Sequence, residues 1–154
     1  MEWFVKAFIK SSVTWLVIGA AIGIAMAVHP AWTVYRPAHA HVMLLGFVTM
    51  RISGVAYHVV PRLASRPLFS PHLAMWHVWI ANIGLLIMVA GFGTRPANAT
   101  AGTTILGVGG LISGLGTLLF AIQIWLTLER KLVMKPVDVG GELVGISRKA
   151  SARG

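Results

Sequence analysis

Two histidines separated by one residue, His39 and His41, are the side chains in this sequence best suited to bind a metal or haem. They open an apolar run that contains no acidic residue, and an imidazole is costly to bury there without a partner. A metal ion or haem iron is the partner that this environment favours. Residues i and i+2 of an α-helix diverge by about 200°. The pair therefore predicts ligands for two separate cofactors, one on each flank of the helix, rather than a chelate of one ion.

Further along the chain, His58 and His77 are lower-ranked metal ligands, and each taken singly is typical of a packed side chain bonded to a neighbour. At 1.5 Å per residue, His41 and His58 are separated by about 25 Å along one helix, so they cannot serve one metal together. Arg51 falls near the middle of the same run. A charge at that depth is tolerated only where it faces a bundle interior, water or a partner.

The composition indicates that these residues lie in a membrane. The chain has 154 residues, of which 56% are hydrophobic and 11% charged, and its mean hydropathy is +0.79. Such a sequence has too little polar surface for a soluble domain. The absence of cysteine excludes disulfides, thiolate metal sites and thioether-linked haem. The net charge of +9 comes from basic residues between and after the apolar runs, which favours membrane topology rather than nucleic acid binding.

Four apolar runs predict an all-α membrane protein, because each is near the length of about 20 residues that a span requires. Breakers such as His29-Pro30 and Pro61 separate the runs, and we expect Pro61 to end the second helix. The glycines of the last run, including Gly107, Gly110 and Gly114, predict a face that another helix can approach closely. The predicted organisation is a transmembrane domain, 1–128, and a basic cytoplasmic tail, 129–154, with spans at 12–28, 38–60, 71–92 and 103–128.

The distribution of basic residues predicts the orientation. Most of the lysines and arginines near the span ends fall on one side, while only Arg36 and Arg95 fall on the other. The positive-inside rule then places both termini in the cytoplasm. We therefore expect a multi-pass protein of the cell inner membrane or an equivalent energy-conserving membrane. The residues counted on the cytoplasmic side are Lys6, Lys10, Arg62, Arg66, Arg130, Lys131 and Lys135.

Two segments resemble the second helix of subunit I in the haem-copper oxidase and nitric oxide reductase superfamily. They run from Arg36 to Val48, which includes the motif Arg-Pro-Ala-His-Ala-His, and from Gly54 to Arg62. The run from Trp76 to Gly84 continues the likeness, which covers about the first 90 residues. The chain looks like the short four-helix relatives of that subunit. The resemblance implies haem b ligation by His41 or His39. The resemblance does not extend to the helices that carry the copper or non-haem iron ligands in that superfamily, so a complete oxidase or reductase is not expected.

The resemblance also implies an assembly. Subunit I consists of three arcs of four helices with approximate threefold symmetry, and this chain resembles one arc. A homotrimer would bring His39 of one protomer opposite His41 of the next, each pair holding one haem for electron transfer, with Arg36 and Arg95 as candidates for its propionates. A dimer stays open, as does membership of a larger respiratory complex. The alternative function is an accessory subunit whose histidines bind copper or nothing.

Overall fold

Residues 1–130 of the chain, which the computed structural model describes, form a bundle of four helices without a β-strand. Each helix is long and apolar enough to cross a membrane. The predicted all-α architecture with four spans is therefore confirmed. Apart from its first two residues, the predicted tail at 129–154 lies outside the described residues. The helices are α1 (Trp3–Val28), α2 (Pro30–Leu63), α3 (Pro71–Thr94) and α4 (Ala99–Glu129).

Helix α2 changes its winding along its length, a feature that we did not predict from the sequence. Prolines occupy the first turns of its initial segments, where a missing N–H costs nothing. In the wider π-helical part, the Thr49 hydroxyl donates to the carbonyl of Leu44, five residues earlier, at 2.8 Å. The consecutive segments are a 3₁₀-helix (Pro30–Tyr35), an α-helix (Arg36–His41), a π-helix (Val42–Thr49) and an α-helix (Met50–Leu63).

The prediction that Pro61 ends the second helix was wrong. Pro61 lies inside α2, and the Ala64 N–H still bonds to the Val60 carbonyl at 2.9 Å. A proline so close to the helix end removes one hydrogen bond without stopping the last turn. The chain leaves the helix at Ser65, whose φ of 51° is left-handed. Helix α1 also starts earlier than its predicted span at 12–28, because the apolar period already begins at Trp3.

The starts of α3 and α4 are set by capping side chains. The Ser70 hydroxyl accepts from the Leu73 N–H at 3.4 Å, and the Asn98 side chain accepts from the Ala101 N–H at 3.0 Å. Each cap satisfies a backbone donor that a helix start leaves without a partner. Helix α4 consequently begins at Ala99, four residues before the predicted span at 103–128.

Glycines bring α3 and α4 into close contact. A Cβ on Gly109 would lie 2.6 Å from the Met88 backbone nitrogen, and one on Gly84 would lie 2.6 Å from the Ser113 hydroxyl. Gly107, Gly110 and Gly114, which we expected another helix to approach, have open space at the Cβ position within residues 1–130. Helix α4 therefore has one glycine face against α3 and a second that no neighbour within residues 1–130 covers.

The two ends of the bundle differ in chemistry. At one end, named the terminal end after Met1, the loop before α3 is tied to α4: Arg130 donates to the Leu68 carbonyl at 3.2 Å, and the Phe69 N–H donates to the Thr127 hydroxyl at 3.1 Å. The opposite end, where α1 ends and α4 begins, is named the histidine end because His39 and His41 lie there.

Candidate functional site

His39 lies against α1. Its Nδ1 atom is 2.9 Å from the carbonyl oxygen of Gly19, and a Cβ on Gly23 would lie 3.1 Å from the ring carbon Cε1. A carbonyl oxygen can only accept, so Nδ1 must carry the proton and donate. The lone pair is then on Nε2, the arrangement in which a histidine ligates a metal while a backbone carbonyl fixes its ring.

His41 has the same hydrogen-bond arrangement with different neighbours. Its Nδ1 atom donates to the carbonyl of Pro37 at 2.8 Å, and its ring centroid lies 5.0 Å from that of Phe92 on α3. The Nε2 lone pair is again available as a ligand. Both imidazoles thus keep a free Nε2 lone pair, through which a histidine can ligate a metal ion or haem iron.

A groove of about 350 Å³ adjoins His41 but not His39. It runs between α2 and α4, and Gly110 and Gly114 on its wall leave the space open where a Cβ would stand. A flat group can approach the α4 backbone closely at such positions. The other lining residues are apolar or hydroxyl-bearing: Ala40, Leu44, Leu45, Met88, Ser113 and Thr117.

His39 and His41 of one chain do not form a chelating pair. Residues 1–130 contain no group of three or more His, Cys, Asp or Glu side chains that could hold a metal ion. His39 packs on α1 while His41 faces α3 and the groove, so the two rings of one chain do not converge on one ion. Each ring therefore presents its Nε2 lone pair separately.

Arg36 and Arg95 lie exposed at the histidine end. Arg36 opens the α-helical segment that contains both histidines, and Arg95 caps the end of α3, three residues after Phe92. No ion pair to either guanidinium is found within residues 1–130. Both cations are therefore available to a carboxylate at the histidine end.

The structure keeps His58 and His77 away from His39 and His41. His58 is half-buried and lines a cavity at the terminal end. His77 is 3% exposed, and its Nδ1 atom lies 2.8 Å from the Tyr57 hydroxyl oxygen. The sequence analysis missed this Tyr57–His77 pair, because its members are 20 residues apart on different helices. No spacing rule within one helix connects them.

Aromatic rings surround the pair. The Phe8 ring centroid is 4.7 Å from that of His77, and the Phe120 ring lies 5.6 Å from Tyr57 and 5.8 Å from His77. The two polar groups are thus enclosed by α1 and α4, and their mutual hydrogen bond compensates part of the cost of burial.

Arg51 lies in the α-helical segment that follows the π-helix, with its guanidinium carbon 5.5 Å from the centre of the Phe47 ring. Its Nε atom is buried and has no hydrogen-bond partner within residues 1–130. The aromatic face stabilises a cation by its quadrupole, which is one way to tolerate a charge at this depth.

Known proteins resemble this chain in sequence. The profile of the family described as Cytochrome C and Quinol oxidase polypeptide I matches residues 4–139. Cytochrome c oxidase subunit 1 of Rhodobacter capsulatus is 30% identical over 125 residues, and the match covers 65% of this chain but only 23% of that protein. No solved structure matches. The predicted relation to haem-copper oxidase subunit I is therefore confirmed, and the chain belongs to the cytochrome c and quinol oxidase polypeptide I family.

Proposed function

We propose that this chain is a haem b-binding membrane protein that transfers electrons within or beside a respiratory complex. The proposal rests on one observation, the hydrogen-bond arrangement that His39 and His41 have in common. In both rings Nδ1 donates to a backbone carbonyl, which leaves Nε2 as a free ligand at the histidine end. Family membership supports haem as the group that such ligands bind.

Two axial imidazoles on one iron leave no open position for a gas. Bound in this way, a haem supplies one-electron redox chemistry and favours electron transfer over ligand activation. His39 and His41 of one chain do not converge, so the second imidazole comes from another copy of the chain. We favour a homotrimer in which His41 beside the groove of one protomer is paired with His39 of the next.

The propionates of the haem need cations or interfacial donors. Arg36 and Arg95 are the arginines at the histidine end, and both are exposed. A guanidinium can donate two parallel hydrogen bonds to a carboxylate. We assign Arg36 as the first propionate partner, because it lies one helical turn before His39, and Arg95 as the second.

The distribution of cations supports an orientation with the terminal end in the cytoplasm. Lys6, Lys10 and Arg62 are exposed at the terminal end, as is Arg130. The histidine end has Arg36 and Arg95. By the positive-inside rule, the haem would then lie near the outer face of an energy-conserving membrane such as the cell inner membrane.

An optical spectrum of the detergent-purified protein tests the proposal. We expect a low-spin haem b spectrum that does not change when carbon monoxide is added to the reduced protein, because both axial positions are filled. Prompt carbon monoxide binding would mean an open axial position. A haem-free preparation from haem-replete cells would overturn the cofactor assignment and favour an accessory subunit.

A further inference from the structure

The Tyr57–His77 pair is a buried polar unit that the proposed haem site does not use. Tyr57 and His77 are 3% exposed, and the 2.8 Å contact joins the tyrosine hydroxyl to Nδ1. The pair lies toward the terminal end, on the segments of α2 and α3 nearest the loop that connects them. A buried imidazole has two nitrogens to satisfy, and this contact satisfies one of them.

The direction of the contact determines what the other nitrogen needs. When the Tyr57 hydroxyl donates to Nδ1, the imidazole proton is on Nε2, which then requires an acceptor. Within residues 1–130, no side chain or carbonyl is hydrogen-bonded to Nε2 of His77. An N–H enclosed by a membrane bundle needs an acceptor.

A small cavity adjoins His77 and offers such an acceptor site. Its volume is about 20 Å³, which is above the roughly 10–15 Å³ that one water molecule needs. The Ser53 hydroxyl already donates to the Thr49 carbonyl at 2.9 Å, and the Thr117 hydroxyl donates to the Ser113 carbonyl at 3.1 Å. These oxygens retain lone pairs that can accept from a water. The hydroxyl-bearing residues that line the cavity are Thr49, Ser53, Ser113 and Thr117.

A second cavity adjoins the pair at Tyr57. Tyr57 is among the residues that line an open cavity of about 350 Å³ at the terminal end, together with Glu2, His58 and Arg62. This cavity is wide enough to admit solvent. Tyr57 therefore lines a solvent-accessible cavity, and its partner His77 lines a smaller one.

We propose that the small cavity binds one ordered water molecule, which accepts from Nε2 of His77 and donates to the hydroxyls of α2 and α4. With the Tyr57–His77 pair, this water makes a hydrogen-bonded connection from the cavity at the terminal end into the membrane interior. The water also joins α2, α3 and α4 at a depth where an unsatisfied polar group is costly. It is a structural ligand of the bundle, in a cavity that shares Leu45, Ser113 and Thr117 with the groove beside His41.

Solid-state nuclear magnetic resonance of the full chain in lipid bilayers, with ¹⁵N-labelled histidine, tests the proposal. The His77→Phe variant assigns the His77 signals by their loss. We expect Nε2 to be the protonated nitrogen and to show a cross-peak with water protons. Ser53→Val replaces a hydroxyl acceptor by a methyl group that enters the cavity, and it should abolish that cross-peak.

The matched control is Ser12→Val on α1. Ser12 and Ser53 are both fully buried, and each hydroxyl donates to a backbone carbonyl, but Ser12 does not line the cavity. The control should keep the cross-peak. If Ser53→Val does not fold, the isosteric Thr117→Val should weaken the cross-peak, whereas Thr104→Val on the same helix should leave it unchanged. The proposal is overturned if native His77 shows no cross-peak with water protons. It is also overturned if that cross-peak is unchanged in Ser53→Val or Thr117→Val.

Discussion

The histidines at the two ends of the bundle use Nδ1 in different hydrogen bonds and for different purposes. His41 is partly exposed, and its Nδ1 donates to the backbone of its own helix, which leaves Nε2 beside an open groove. His77 is buried, and its Nδ1 contacts a side chain of another helix inside a shell of aromatic rings. The first arrangement leaves Nε2 free to act as a ligand, whereas the second joins helices of one chain. An intramembrane histidine is therefore not by itself a sign of a metal site.

The largest expected effect comes from removing a haem ligand. His39→Ala and His41→Ala should each abolish haem binding, because each iron would lose one of its axial imidazoles. Co-expression of the two variants in one oligomer should restore part of the haem, since some interfaces then combine an intact His41 with an intact His39. The pyridine haemochrome content of the purified protein measures both outcomes.

The control for this prediction is His72→Ala at the start of α3, an exposed histidine at the terminal end, which should keep all haem. Native mass spectrometry counts chains and haems together, and we expect three of each. A monomer that retains haem would contradict ligation between protomers.

A second test compares adjacent glycines on α4. Gly109→Ala would place its Cβ 2.6 Å from the Met88 backbone nitrogen, so we expect overpacking to lower the free energy of unfolding, by about 1–3 kcal/mol. Gly110→Ala has open space within the chain and should leave the unfolding of the protomer unchanged. Unfolding in mixed detergent micelles, followed by circular dichroism, measures both variants.

Substitutions beside the groove at His41 compare two further positions on α4. Gly110→Leu would fill part of the groove and should lower haem content, although His41 and His39 are intact. Leu111→Phe, at a position that is 78% exposed, is the control and should retain haem. Full haem content in Gly110→Leu would show that the groove is not where the haem lies.

A smaller effect is expected when the interior pair is altered. Tyr57→Phe removes the hydroxyl that bonds to His77, and we expect a loss of unfolding free energy of roughly 0.6–2 kcal/mol, since side-chain hydrogen bonds within membranes are modest. Haem content should not change, because the pair lies in the other half of the bundle. Tyr35→Phe, which removes a hydroxyl at the histidine end, is the control for stability. Loss of haem in Tyr57→Phe would contradict the assignment of haem binding to the histidine end and of a structural role to the Tyr57–His77 pair.

The sequence was sufficient to predict the features that depend on one helix at a time. The four apolar runs set the number of helices, and the i, i+2 spacing of His39 and His41 predicted that their rings diverge. In the structure, His39 contacts α1 while His41 contacts α3. Both results follow from helical periodicity and span length alone.

The features that depend on contacts between helices could not be predicted in this way. The Tyr57–His77 hydrogen bond depends on how neighbouring helices are rotated about their axes. The same rotation determines that Gly109, and not Gly110, faces α3. The π-helical segment Val42–Thr49 changes that rotation partway along α2. If the whole of α2 is assumed to be α-helical, the residues before the segment are therefore assigned the wrong angular positions around the helix axis relative to those after it.

The smallest predicted effect concerns Arg36. Arg36→Gln removes a cation beside the proposed propionate, which disfavours the reduced haem because reduction adds a negative charge. An exposed ion pair contributes on the order of 0.2–1 kcal/mol, so the midpoint potential should fall by about 10–40 mV. Redox titration of the haem at low ionic strength measures the shift, which should shrink as salt is added because exposed charges are screened. Arg62→Gln at the terminal end is the control, since it removes the same charge far from the histidine end and should leave the potential unchanged. Equal potentials in the native protein and Arg36→Gln would reduce Arg36 to an interfacial anchor, with Arg95 as the next residue to replace.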